Sequence, residues 1–306
     1  MVKPFVPFLP MEPKICREPF DDIKTAFQVK WDGVRILAHF KDGEVVLFNR
    51  KKRVRTDQYP EVAQALKTLI NFNIILDGEM VALKDGKPNF PEILRRDFAV
   101  DAGTIKYLSN IIPVTYVVFD IVFYKEKDLT TYSFKFRDEL LKTLLPSKDP
   151  IAVTDTVYNQ GTALFSVVKE AELEGIVAKK LDSPYRIGQK NSDWLKIKNF
   201  RTLTAIIGGF IYEGREVRSL FLGVFQDHDF VYVGRAGSGL NHKTSLLLFD
   251  KLNKIKANHC PFTEPLKINK IKHICWVKPS IEVIVEYIEF TDDGLIRHPV
   301  IKEVMF

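Results

Sequence analysis

Apolar positions recur with two different periods along the first two-thirds of the chain, and the switches between them mark out strands and helices. Phe27 to Arg50 reads as a hairpin, with Lys41-Asp42-Gly43 as the turn and the β-formers Val45, Val46, Leu47 and Phe48 after it. Pro60 to Asn71 predicts a helix, because proline stands near its start and Val62, Leu66, Leu69 and Ile70 share one face. Ile74 to Leu83 predicts a strand ending in a second Lys-Asp-Gly turn, and the apolar run Val114 to Tyr124 a strand buried on both faces. Ser133 to Leu145 and Thr162 to Leu173 carry helical spacing, while Gly175 to Lys180 and Trp194 to Lys198 are short strands. The first 20 residues hold five prolines and predict an extended lead-in.

After Phe200 the texture changes. Ala205 to Tyr212, Ser219 to Gln226 and Phe230 to Gly234 read as short strands between turns, followed by a helix at Lys243 to Ile255 and a strand at Ile281 to Phe290. Such a set fits a small β-barrel of the OB type. The expected class is therefore α+β in two domains, 1–199 with antiparallel sheets and flanking helices and 200–306 as the barrel, joined near Asn199 to Thr202.

Composition narrows the class. Of 306 residues, 46% are hydrophobic and 27% charged, the balance of a globular chain with a sizeable core. The longest apolar runs are too short to span a bilayer as a helix, and the N-terminus lacks the apolar core of a secretory signal. Cys16, Cys260 and Cys275 are scattered, which excludes a four-cysteine zinc site and makes a reducing, cytoplasmic setting the natural one. The net charge of +6 suits a polyanionic partner, but both parts of the chain are mildly basic and no arm stands out.

Several segments carry candidate chemistry. Gln28-Val-Lys-Trp-Asp-Gly-Val-Arg35 sets Lys30 before a turn. Lysine is a nucleophile only as the free amine, so that use needs burial or nearby cations; the other reading is a solvated lysine at a hairpin end. Asp193-Trp-Leu-Lys-Ile-Lys198 puts Trp194, Lys196 and Lys198 on one strand face, either to hold a polyanion or to guard a strand edge. Glu79, in Leu76-Asp-Gly-Glu-Met80, and Glu174, in Glu172-Leu-Glu-Gly-Ile-Val-Ala-Lys-Lys180, stand beside apolar strand residues. A carboxylate there requires a partner: a lysine, or a Mg²⁺ ion shared with nucleotide phosphates. Phe119 closes a buried run and is either core or a platform for a purine. Gly234-Arg-Ala-Gly-Ser-Gly239 lacks the Gly-Lys-Ser/Thr of a P-loop and reads as a barrel loop.

Taken in order, the chain presents Lys30-x-Asp-Gly-x-Arg35, Asn49-Arg50, Asp77-Gly-Glu79, Phe119-Asp120, Glu174-Gly-Ile-Val-x-Lys179 and Trp194-Leu-Lys196-x-Lys198. This series resembles the covalent nucleotidyltransferases, most closely ATP-dependent DNA ligases and, among them, the ligase domain of bacterial end-joining ligases, where a segment like Leu181-Asp-Ser-Pro-Tyr-Arg186 also precedes the last motif. The resemblance implies an adenylation domain followed by an OB-fold domain. It implies Lys30 as the nucleophile that takes AMP from ATP, with Gln28 at the adenine and Phe119 stacked on it. Arg35 and Arg50 would hold phosphate, including the DNA 5′-phosphate, and Lys196 and Lys198 the α-phosphate. Glu79 would meet the ribose or the metal and Glu174 the metal, Mg²⁺ or Mn²⁺; Lys179 closes its motif. Asp293-Gly-Leu-Ile-Arg297-His-Pro-Val-Ile-Lys302 resembles the final basic motif, with Arg297 and Lys302 orienting pyrophosphate, although relatives continue differently after it. The implied partners are nicked or broken duplex DNA and a bacterial Ku-like end-binding protein, met by a monomer away from membranes. RNA ligases, guanylyltransferases and a nick-binding protein without catalysis are the alternatives.

Overall fold

The computed structural model describes residues 1–266, 274–291 and 293–306. The fold is mixed α+β, with sheets and few helices, and the chain divides into two compact units, Met1–Asn199 and Phe200–Phe306.

In the first unit the chain order is β1 (Glu12–Cys16), β2 (Thr25–Val29), β3 (Val34–Lys41), β4 (Glu44–Asn49), α1 (Pro60–Leu69), β5 (Ile74–Lys84), β6 (Lys87–Pro88), α2 (Phe90–Asp97), α3 (Ala102–Ile111) and β7 (Val114–Tyr124). It continues with β8 (Lys127–Asp128), α4 (Phe134–Leu144), β9 (Ile151–Val153), β10 (Val157–Tyr158), α5 (Gly161–Glu170), β11 (Gly175–Lys180) and β12 (Lys190–Lys198). One sheet runs β1-β12-β11-β2-β10; the other runs β4-β3-β5-β7-β8, with β6 on β5 and β9 on β7.

Strand alternation gives each sheet an apolar back. In the first sheet Phe27, Ile176, Ala178 and Ile197 pack with Val168 of α5, leaving Gln28, Lys30, Lys179, Trp194, Lys196 and Lys198 for the opposite side. In the second, Ile36, Ala38, Leu76, Met80, Tyr116 and Val118 join the main core with α1, so Arg35, Asp77 and Glu79 fall on the other face. A smaller cluster of Met11, Ile75, Val122, Phe123, Tyr185 and Trp194 packs elements of the two sheets together beneath those polar faces.

Two expectations are corrected here. Phe27 to Arg50 is not one hairpin: the turn at Asp42-Gly43 is as expected, but Phe27–Val29 belongs to the first sheet and β3 to the second. The break falls at Asp32-Gly33, where a Cβ on Gly33 would lie 2.2 Å from the Met80 carbonyl oxygen, so only glycine lets the chain cross so close to β5. The proline-rich lead-in contains β1, which pairs in parallel with β12 through a bulge between Pro13 and Lys14.

The second unit contains β13 (Arg201–Glu213), β14 (Glu216–Gln226), β15 (Asp229–Ala236), α6 (His242–Lys254), β16 (Lys256–Ala257), β17 (Cys275–Val277), β18 (Glu282–Tyr287) and β19 (Val300–Met305). Its path is β15-β14-β13-β17-β16, with β18 bridging β13 and β19. Leu248 and Leu252 of α6 enter its core with Ile207, Leu220, Leu222 and Val285. The glycine-rich stretch expected as a loop begins inside β15: Gly234 pairs with Leu222 at φ +142°, where a Cβ would meet Ile296.

Candidate active site

Between the polar faces of the first unit's two sheets lies a cleft of about 180 Å³. Gln28, Lys30, Arg35, Arg50, Glu79, Phe119, Lys179, Trp194 and Lys196 line it, joined by Glu12 and Pro13 of β1. The motifs separated along the chain thus converge on one cavity.

Lys30 follows the end of β2. Its backbone N–H donates to the Gly175 carbonyl at 2.9 Å, and its Nζ lies 2.5 Å from Glu174 Oε2. The other carboxylate oxygen, Oε1, is 3.1 Å from Lys198 Nζ. Burial alone would push the Glu174 carboxyl up, but the two ammonium groups hold it below the usual range. Lys196 is pushed down by partial burial and by the cations Lys198, Lys30 and Lys190. Of the two readings open for Glu174, its contacts here are with lysines.

Glu79 sits in a different field. Burial raises its carboxyl to about 8, against the opposing pull of Lys30 and Arg35. A divalent cation would supply the charge that keeps it ionised, and with Glu174 it offers the few protein oxygens that Mg²⁺ takes when phosphates provide the rest. No group of three or more His, Cys, Asp or Glu side chains gathers into a metal site among the described residues.

Arg35 spends its fork inside the protein. Nε and Nη2 reach the two oxygens of buried Asp77 at 2.8 and 2.5 Å, and the Tyr185 hydroxyl donates to Asp77 at 2.6 Å. The guanidinium stands 5.0 Å from the Phe119 ring centre and 5.7 Å from that of Trp194. Arg50 is exposed and paired with Glu12 at 2.5 Å.

Lys179 is buried. Its Nζ donates to the Phe119 carbonyl at 2.9 Å and lies 4.7, 4.6 and 4.2 Å from the ring centres of Phe119, Phe134 and Trp194. Burial lowers its ammonium to about 7, with Asp120, Asp77 and Asp138 opposing. Phe119 is thereby flanked by two cations. Gln28 is fixed by its amide nitrogen, which donates to Thr156 Oγ1 at 3.0 Å and faces Asp138 Oδ1 at 3.4 Å. Its Oε1, and the Trp194 indole N–H, are buried with no hydrogen-bond partner. Both residues line the cleft, and neither atom has its hydrogen bond made.

Sequence reasoning missed the supporting residues. Asp77, Tyr185 and Asp138 act on the cleft through Arg35 and Gln28, and their partners lie up to 110 residues away. Asp120 of the Phe-Asp pair forms a fully buried fork with Arg137, at 2.8 and 3.1 Å. In the second unit Arg297 pairs with Glu289, and Lys302 lies 3.2 Å from Glu286.

Comparison with known proteins gives a consistent picture. Residues 10–198 match the family described as the ATP dependent DNA ligase domain, and residues 213–305 match the ATP dependent DNA ligase C terminal region. The chain is 30% identical over 301 residues to the multifunctional non-homologous end joining protein LigD of Mycolicibacterium smegmatis, covering 96% of this chain and 37% of that protein. The chain thus spans about a third of the length of the LigD proteins it matches. The crystal structure of the ligase domain from M. tuberculosis LigD superposes with a TM-score of 0.59 at 27% identity, covering 97% of this chain and 95% of that one. A mycobacterial DNA ligase D complexed with ATP and MES gives the same TM-score, identity and coverage.

Proposed function

Because the chain belongs to the ATP-dependent DNA ligase family, we propose that it seals nicked or broken duplex DNA through an AMP carried on Lys30. The observation that carries this reading is the cleft itself, which sets Lys30 and Lys196 beside the Phe119 ring, with Lys30 tied through Glu174 to Lys198.

The chemistry follows from those side chains. The Lys30 amine attacks the α-phosphorus of ATP, an N–P bond forms, and the bond to pyrophosphate breaks. AMP then passes to the DNA 5′-phosphate, which breaks the N–P bond and frees Lys30. Attack by the 3′-hydroxyl forms the phosphodiester and expels AMP. Lys196 and Lys198 supply fixed positive charge where the α-phosphate gains negative charge. Phe119 takes the adenine ring, held between Lys179 and Arg35, while Gln28 Oε1 faces its polar edge. Since the Arg35 fork is committed to Asp77, Arg35 braces the platform, and Arg50 is the arginine that meets phosphate. Glu79 and Glu174 would hold Mg²⁺ or Mn²⁺, which would add charge at the phosphates; Lys30 and Lys198 then exchange a carboxylate partner for the nucleotide.

In this reading 1–199 is the adenylation domain and 200–306 an OB-fold domain. The seven-stranded sheet of the second unit, with α6 packed into its core, and the match to the C-terminal ligase family support that assignment. Arg297 and Lys302 orient the pyrophosphate leaving group, and the short segment Asn199 to Phe200 between β12 and β13 serves as the hinge. The relatives named for end joining support a role in break repair, for which a Ku-like protein is the expected partner and a cytoplasmic monomer the expected state. No helix is long and apolar enough to cross a membrane among the described residues.

The test is sealing of a 5′-phosphorylated nicked duplex with ATP and Mg²⁺. The same nick with RNA at either end, and GTP in place of ATP, run alongside. ATP-dependent joining of DNA supports the reading. Joining confined to RNA ends, or labelling by GTP alone, moves the chain to the RNA ligases or guanylyltransferases.

A further inference from the structure

Gln28 is held by a relay of hydrogen bonds that begins outside every motif of the expected reaction. Strand β10 pairs with β2 so that Val157 stands opposite Phe27, which brings Thr156 beside Gln28. Asp138, on α4, is buried and accepts at both oxygens. Lys142 Nζ and the Tyr158 hydroxyl donate to its Oδ2 at 2.7 and 3.0 Å, and the Thr156 hydroxyl donates to its Oδ1 at 2.8 Å.

The direction of these bonds fixes the orientation of the Gln28 amide. A carboxylate accepts and does not donate, and a hydroxyl has one proton to give. Thr156 gives its proton to Asp138, so it offers Gln28 only a lone pair. The amide therefore turns its NH2 group to Thr156 Oγ1 at 3.0 Å, with Asp138 Oδ1 beyond it at 3.4 Å. The reverse orientation would set the amide oxygen against two acceptors. Oε1 is left buried and without a partner, on a side chain that lines the cleft with Phe119. An unmade buried acceptor is costly, so an occupant that brings an N–H to it is favoured and one that brings a second acceptor is opposed.

We infer that Asp138, acting through Thr156, is the positioning residue that selects the purine. It keeps the Gln28 oxygen available to the base, where the 6-amino group of adenine can donate and the 6-oxo group of guanine cannot. The inference rests on the ligase reading, which sets a purine on Phe119, and extends it to α4 and to the connection between β9 and β10. Neither Asp138 nor Thr156 lines the cleft.

The experiment measures binding of AMP and of GMP to the full chain by calorimetry, after pyrophosphate treatment, so that no chemical step enters. The wild type should bind AMP at least about tenfold more tightly than GMP. In Asp138→Asn, Lys142 still only donates, so the new amide turns its oxygen to Lys142 and its NH2 to Thr156. Thr156 then donates to Gln28, whose amide reverses, and the AMP-to-GMP preference falls about tenfold or more. Adding Gln28→Glu to Asp138→Asn restores the preference for AMP, because a carboxylate accepts from Thr156 and still presents an oxygen to the base. A merely structural role for Asp138 would leave the double variant no better than the single one. Thr156→Val, which breaks the relay and spares Asp138, lowers the preference as well and decides the matter if Asp138→Asn does not fold by circular dichroism. A wild type without preference, a single variant with the wild-type ratio, or a double variant without rescue overturns the inference. Labelling of the wild type by α-labelled ATP is read separately. Its failure would remove the ligase reading, while the binding ratios still decide the relay.

Discussion

Lys179 shows how a single side chain sets the site. A buried ammonium ringed by Phe119, Phe134 and Trp194 is tolerated because the Phe119 carbonyl accepts its proton and three aspartates lie within electrostatic reach. Its folded pKa, about 7, is below the value in an unfolded chain, so between those values the unfolded state binds more protons and stability rises with pH. The stabilising contribution is complete above the unfolded value and is lost as pH falls through about 7. Urea titrations of wild type and Lys179→Met at pH 6.5 and 9.5 check this. The wild type gains on the variant as pH rises, at up to about 1.4 kcal/mol per unit; a difference that does not change with pH refutes the assignment. Lys30, Glu79 and Glu174 stand out as candidates in the sequence because each lies in a short motif beside strand-forming residues. Asp77 is within such a motif too, yet its part was not legible. It takes meaning only from Arg35 and Tyr185, 42 and 108 residues away.

At the scale of elements, the meeting of β2, β11 and β12 is the decisive joint. Gly175 adopts φ +146° opposite Lys198 and accepts the Lys30 N–H, so one residue sets the spacing of Lys30, Glu174 and Lys198. A Cβ there would lie 2.1 Å from the Ile197 carbonyl oxygen. Gly175→Ala is therefore expected to cost on the order of 3 kcal/mol of stability, from backbone strain and the opened strand pair. A thermal melt reads that loss, and labelling by ATP should fall further than the melt alone explains. Most long elements could be read from their periodicity: α1, α4, α6, β5, β7 and β11 lie where apolar spacing put them. The elements that escaped had local signals pointing elsewhere. In β1, prolines argue for extended coil, and its partner β12 is nearly 180 residues distant, so pairing across the bulge at Pro13 carries no local mark. The helices α2 and α3 carry residues that argue against a helix, Pro91 in the first turn of one and Gly103 inside the other. Their caps, Asn89 and Asp101, accept from Glu92 and Thr104 N–H groups and were the signal available.

At the scale of the whole molecule, the proposed reaction divides labour between the units. The first holds nucleotide and nucleophile. The proposed role of Arg297 and Lys302 in the second is confined to the step that expels pyrophosphate. Arg297→Ala should then slow formation of the lysyl adenylate on the order of 10²-fold. It should leave joining of a pre-adenylylated nick near the wild-type rate, as measured by rapid quench on each substrate. Equal loss in both steps would mean that Arg297 serves the fold of the second unit. The two compact units meet at Asn199, where strand-rich texture replaces the mixture of strands and helices along the sequence. The central claim, that Lys30 becomes covalently bound to AMP, is tested most directly by incubating wild type and Lys30→Ala with α-labelled ATP and Mg²⁺, after pyrophosphate treatment to clear any resident AMP. The label is then resolved on a denaturing gel and mapped to a peptide. The account predicts a denaturation-stable band in the wild type alone, with AMP on the peptide containing Lys30. Label on another residue, or a band that persists in Lys30→Ala, would contradict it.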